Sequence, residues 1–341
     1  MPKKGLLGGA IALMMVATPA AAQTVLKFQG SATAGDFVQT IYEEWAAKFN
    51  AMTPDDGVKI EVLPFQAVVP YKETLEAASA GLLAGDMQAV SYFSGRDQAF
   101  SILGDLISGY DKPEQTWAFC QHGGGKEMLQ EAYDSIMPGQ LHVVGCGSFT
   151  REALVSTIPI KGVEDLKGVR IRSPEGLATA VFERAGAAPV PLPYSEVFSS
   201  LEKGVIDAAD ASSYANNSAT GAHSVAKYPL YPGIHSMAVL QLVVGKAQWD
   251  RLSAAEQMMI EVWYGAMHHD LTHQAEIEDK RLVAEDLAKG DITIIDWPQA
   301  ERDALRVIAV EAWEATAGES ELAAKALTTH YDFMKRIGLR Q

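Results

Sequence analysis

Alternation between strand-like and helix-like segments most restricts what this chain can fold into. "VLKFQG" (25–30) and "VKIEVLPF" (58–65) read as strands, and "MQAVSYF" (87–93) as a third. Between them, 36–52 and "YKETLEAASAGL" (71–82) read as helices. Strand, helix, strand, helix, strand in that order predicts a parallel sheet with helices packed on it.

A second set follows. "LHVVGCGSF" (141–149), "ALVST" (153–157), "VRIRSP" (169–174) and "VIDAADAS" (205–212) are strand-like, and "APVPLP" (188–193) is extended. Helices are expected at 175–185 and 195–204, the latter with Ser195 as N-cap and Gly204 as its stop. "MAVLQLVVGK" (237–246) reads as a buried strand and "ITIIDWP" (292–298) as another, and the C-terminus is helical. Residues 253–289 contain no proline and carry Met258, Ile260, Val262, Trp263 and Met267 at helical spacing. At ~1.5 Å per residue that helix runs ~55 Å, enough to cross from one domain to another.

The expected fold class is therefore α/β, a two-domain binding-protein arrangement with a long spanning helix and a ligand cleft between the domains. The expected division is 23–147 plus about 237–290 for one domain and 148–236 for the other, with 291–341 adding a strand and helices. A chain of 341 residues, 48% of them hydrophobic, can bury two sizeable cores. Its net charge of −15 excludes nucleic acid as a partner, because phosphate binding needs a basic surface.

Residues 1–22 read as a cleaved secretory signal. Lys3 and Lys4 precede a short apolar run, "GLLGGAIALMMVA", and Ala20, Ala21 and Ala22 supply the small residues a signal peptidase accepts. The run is too short to span a bilayer, so export to a periplasm is expected, with Gln23 the first mature residue. Cys120 and Cys146 form an even pair in an exported chain, and spacing alone leaves a disulfide and two free thiols both open.

Enzymatic motifs are thin. His269 and His273 in "HDLTH" are one helical turn apart, as in zinc proteases, but Asp270 is shorter than the usual Glu and no third ligand is near. The competing reading is the polar face of a long helix. "HGGG" (122–125) resembles an oxyanion loop, yet the chain lacks a Gly-x-Ser-x-Gly elbow, so a glycine turn before a helix is the simpler reading. No metal or other cofactor is expected.

Two arginines remain. In "EDLKGVRIRSPEG" (164–176), strand alternation puts Arg170 and Arg172 on one face. A guanidinium fits a carboxylate with two parallel hydrogen bonds and costs much in a cleft without an anion. Arg170 reads as a solvated strand residue. For Arg172 a ligand-binding role and an internal salt bridge both remain open.

"EDLKGVRIRSPEG", "SEVFSSLEKGVIDAADASSYANN" and "KYPLYPG" together resemble the solute-binding proteins of tripartite ATP-independent periplasmic (TRAP) transporters. Leu166-Lys167-Gly168, Ile171-Arg172, Glu196, Leu201, Gly204, Ile206 and Asp207 fall in the family's places. "SYFSGRDQAF" (91–100), the triple glycine and the C-terminal tail are similar to the subgroup that binds 2-oxo and hydroxy acids. The resemblance implies a non-catalytic flytrap that closes on a small organic anion and delivers it to ion-gradient-driven membrane subunits; a homodimer is left open. It places the carboxylate-gripping arginine on Arg172 and a second arginine on Arg151. Arg151, Asp210-Ala211 and Ser236 stand where the oxo-acid subgroup holds a metal ion, so no metal is expected, with Arg151 and Arg172 both facing the anion. Tyr92, Asp210, Ser212 and His235 are further ligand-binding candidates; Asp210 and Ser212 end a strand where open α/β sheets bind ligands. The alternatives are an exported metal-dependent hydrolase using His269 and His273, and the receptor of an ATP-driven importer.

Overall fold

A computed structural model of the chain describes residues 24–234 and 236–340. The expected signal segment, residues 1–22, and His235 lie outside the described residues. Two sheets carry the architecture. The first contains β1 (Val25–Gly30), β2 (Lys59–Leu63), β3 (Gly85–Met87), β4 (Leu141–Gly147) and, from much later in the chain, β9 (Leu240–Gly245), in the order β2-β1-β3-β9-β4. β1 is parallel to β2 and β3, whereas β9 runs antiparallel to both β3 and β4. The second sheet contains β5 (Ala153–Ser156), β6 (Arg170–Ser173), β7 (Ala188–Pro191) and β8 (Ala208–Ala211), in the order β5-β8-β6-β7. β7, with Pro189 and Pro191 among its four residues, sits on an edge, where missing N–H donors cost least.

The chain leaves the first sheet at Gly147 and returns at Leu240, and these two residues are register partners. Both crossings therefore run side by side. The Glu152 N–H donates to the Ser236 carbonyl at 2.8 Å and ties them together. Gly233, at φ +78°, packs so tightly on the first crossing that a Cβ there would lie 2.0 Å from the Glu152 carbonyl oxygen.

The long helix spans Ala254–Lys289, 36 residues, capped by Ser253 with Glu256 in a reciprocal capping box and stopped by left-handed Gly290. It is fastened to both sheets. Trp263 stacks on Phe28 and meets Phe49 edge-on, and its indole N–H donates to the Trp45 carbonyl. Farther along, Asp279 accepts the Ala215 N–H at 2.7 Å and Asp286 accepts the Tyr214 hydroxyl at 2.7 Å. The helix Gln299–Ala317 lies over both units, and Glu321–Arg336 packs on it and on the first unit. Trp313 donates to the Ile107 carbonyl on one side, and Glu301 accepts the Val163 N–H on the other.

Some expected elements differ. Residues 87–93 are not one strand: β3 ends at Met87 and Val90–Phe93 is a 3₁₀ turn. Beyond Met87 only one bridge, Ala89 to Leu240, continues the ladder, and the chain is free to turn inward. Residues 292–298 contribute one parallel bridge, Ile295 to Leu230, and no strand. Ser195 caps nothing; it lies inside a 3₁₀ turn, Tyr194–Glu196, that feeds the helix Val197–Glu202. Cys120 and Cys146 are bonded, their Cα atoms 5.7 Å apart, which joins the helix Pro113–His122 to β4.

Candidate functional site

Between the two sheets lies a cavity of about 60 Å³. Ala32 follows β1, Tyr92 follows β3, Arg172 lies within β6 and Ser212 follows β8, and all four line it. The cavity thus sits outside the carboxyl ends of these strands, where open α/β sheets bind ligands. Glu152, Phe149 and Ala238 of the two crossings complete its floor. At ~15 Å³ per water position it has room for about four waters, the size of a three-carbon acid.

Arg172 is 3% exposed on the central strand of its sheet. Its Nε donates to the Leu192 carbonyl at 2.8 Å and its Nη1 to the Asp210 carbonyl at 2.5 Å. Both partners are neutral, and Nη2 has no hydrogen-bond partner among the described residues. The guanidinium is oriented by backbone, and no ion pair among the described residues takes its charge. Arg170, two residues earlier at the exposed start of β6, forms a surface ion pair with Asp207 at 2.6 Å. Exposed as it is, that pair contributes little.

Ser212 has φ +44°, a left-handed conformation that costs a non-glycine residue energy. Its N–H donates to Glu152 Oε1 at 3.1 Å and its carbonyl accepts from Ala153 at 2.7 Å. The sharp turn after β8 thereby faces the first crossing. Tyr92 is buried, which pushes its phenol up, and the Arg172 charge opposes that rise.

Asp210 does not reach the cavity surface. It is fully buried behind Arg172, and its Oδ2 lies 2.7 Å from the Ser236 hydroxyl. The same hydroxyl lies 2.7 Å from Asp105 Oδ2. A hydroxyl carries one proton, so it donates to only one of the two carboxyls and the other must itself be protonated. Burial pushes Asp105 up to about 7 and Asp210 well above the usual carboxylate range, the latter also through its acidic neighbours Glu152 and Asp105. Burial raises Glu152 as well, opposed first by Arg172.

The expectation that Arg151 and Arg172 face one anion is not met. Arg151 turns away, donates to the Asp111 carbonyl and lines a separate cavity with Lys112, Tyr231 and Lys280. Phe149 is the one lining residue that the two cavities share. Glu152, the next residue, takes the place expected of Arg151, because neighbouring residues of an extended segment point to opposite sides. Of the candidates, Tyr92, Arg172 and Ser212 are brought together, Asp210 stands behind them, and Arg151 lies elsewhere. Glu152, Tyr194 and Asn216 were not read from the sequence. Nothing in a single sequence marks them, since each joins the site through chain crossings or a helix far from β6.

His269 and His273 are exposed on the long helix, with His269 edge-on to Trp117. Among the described residues no group of three or more His, Cys, Asp or Glu side chains is placed to hold a metal ion. The helix Pro113–His122 ends at the glycine turn, and Gly125 opens the next helix, Gly125–Ile136.

Comparisons with known proteins agree on one lineage. The family model described as bacterial extracellular solute-binding protein, family 7, matches residues 28–319. A monocarboxylate 2-oxoacid-binding periplasmic protein of Nostoc sp. is 24% identical over 82% of this chain and 76% of its own length. The crystal structure of a TRAP periplasmic solute-binding protein of Rhodobacter sphaeroides, in an apo open form, is 40% identical, covers 93% of this chain and 99% of that one, and superposes with a TM-score of 0.75. A TRAP solute-binding protein of Pseudoalteromonas atlantica with bound sodium and pyruvate shares the fold at 22% identity and a TM-score of 0.79, covering 93% and 95% of the two chains. With a two-sheet α/β fold, a cleft at the strand ends and a family match over most of its length, this chain belongs to the bacterial extracellular solute-binding proteins of family 7.

Proposed function

We propose that this protein is the periplasmic receptor of a TRAP transporter, closing its two lobes on a small organic acid and handing it to ion-gradient-driven membrane subunits. The lobes are residues 23–147 with about 237–290, and 148–236, with 291–341 laid over both. The observation that carries the reading is Arg172: a cavity-lining guanidinium, oriented by two backbone carbonyls and left without an anion. With no ion-pair contact among the described residues, its open Nη2 can meet a ligand carboxylate with a charge-assisted hydrogen bond. The Nostoc relative's 2-oxoacids and the pyruvate of the Pseudoalteromonas protein support the same ligand size. Ser212 and Tyr92 add polar groups at the cavity edge.

A thermal-shift screen of small organic acids tests the reading. A binder at a hundredfold excess over its Kd stabilises the protein by about 2.7 kcal/mol. Arg172→Ala is expected to abolish the shift, and Arg172→Lys to lose most of it, because an ammonium cannot reproduce the guanidinium fork. A shift that survives Arg172→Ala refutes the assignment.

A further inference from the structure

Two buried acceptors on residues that line the cavity have no hydrogen-bond partner among the described residues. Glu152 is 8% exposed and lines the cavity; its Oε1 takes the Ser212 N–H, the Ser236 hydroxyl also favours its charged form, and its Oε2 has no hydrogen-bond partner among the described residues. Asn216 lines the same cavity, and its Oδ1 is likewise unpartnered. The amide orientation of Asn216 follows from its neighbours. Asn217 Nδ2 lies against the Ala153 and Ala211 carbonyls, which can only accept, so Asn217 Oδ1 must face the Tyr194 hydroxyl. That hydroxyl has one proton and gives it to Asn217. Asn216 must therefore donate to Tyr194 through Nδ2, at 3.0 Å, which leaves its oxygen as the open group.

The charge count points the same way. Arg172 is the positive group among Glu152, Asp105 and Asp210. The single Ser236 proton makes at least one aspartic acid neutral. Burial raises Glu152, while Arg172 and the Ser212 N–H it accepts favour its charged form, and we take Glu152 as the carboxylate of the site. Arg172 is then already matched in net charge, though not in contact. A plain monocarboxylate would add an uncompensated negative charge to a buried site. A ligand that brings its own cation would not.

Resting on the reading of Arg172 as the carboxylate clamp, we propose that the ligand is a small zwitterion, its carboxylate on Arg172 and its ammonium group donating to Glu152 Oε2 and Asn216 Oδ1. An ammonium group supplies three donors, enough for both acceptors.

Titration calorimetry with matched three-carbon probes tests this: L-alanine, D-alanine and 3-aminopropanoate against propionate and pyruvate, each with calcium and with chelator. At least one amino acid is expected to bind about ten- to hundredfold more tightly than propionate or pyruvate, the range for a hydrogen bond to a charged group. Glu152→Gln, nearly isosteric, is expected to erase that preference and to strengthen propionate binding, an effect that a merely structural defect would not produce. Propionate or pyruvate binding as tightly as every amino acid, with or without calcium, overturns the proposal and leaves the Arg172 reading intact. So does a preference that persists in Glu152→Gln. Failure of all five probes to bind overturns both.

Discussion

Asp105→Asn is expected to flatten the pH dependence of the ligand-free protein's stability. Burial pushes this carboxyl up to about 7 in the folded chain, from an ordinary 3.8. The folded state therefore holds the proton more tightly than the unfolded state does. The stabilisation is complete below the unfolded value and is lost as pH rises through the folded one. Integrating that linkage from about pH 4.5 to about pH 8 gives a loss of roughly 3 kcal/mol from this one group. The side chain is 3% exposed, so solvent screening does not reduce the figure. Asparagine keeps the shape and an acceptor for the Met237 N–H but has no proton to lose. The assay is urea unfolding of both proteins across that range, with equal m-values as the check on two-state behaviour. The stability of Asp105→Asn relative to the parent should rise by roughly 3 kcal/mol between the two ends. Asp210→Asn should act in the same direction, because the two acids share the Ser236 hydroxyl and titrate as a pair. Two parallel stability curves would refute the account of a buried, proton-sharing pair.

The acid side should show the opposite slope. Burial lowers His268 to about 4, so its contribution is present above its ordinary 6.5 and lost as pH falls through about 4. His268→Gln should remove roughly 3 kcal/mol of that acid-limb loss, read from the same urea series. Reducing the Cys120–Cys146 bond, which closes a separation of 26 residues, should cost ~3.5 kcal/mol in denaturant unfolding with and without reductant.

The fold was largely legible because hydrophobic period is a local property. Of the nine strands among the described residues, the alternating segments located seven and an extended reading covered β7, each to within a few residues, and the proline-free run from Ser253 gave the long helix almost to the residue. The failures were at short or edge-paired pieces. β3 needs β1 and β9 beside it, and past Met87 those partners run out, so residues with strand propensity turn instead. Residues 292–298 have the strand pattern but pair only along the irregular segment 227–231, through the single bridge of Ile295 to Leu230.

Side-chain alternation placed Arg172 on a strand between Ile171 and Ser173 and left its partner open, and the resemblance to the solute-binding family singled it out as the expected carboxylate clamp. The tertiary structure decided which residues stand with it. Arg151 and Glu152 are neighbours in sequence and point into different cavities. The register at the crossing settles which one enters the cleft, through the hydrogen bonds from Glu152 to Ser236 and from Ser212 to Glu152, across gaps of many residues. Sequence specifies the strands and the helices because side-chain period acts over a few residues. The sign of charge beside Arg172 depends on long-range pairing, and only the folded chain decides it.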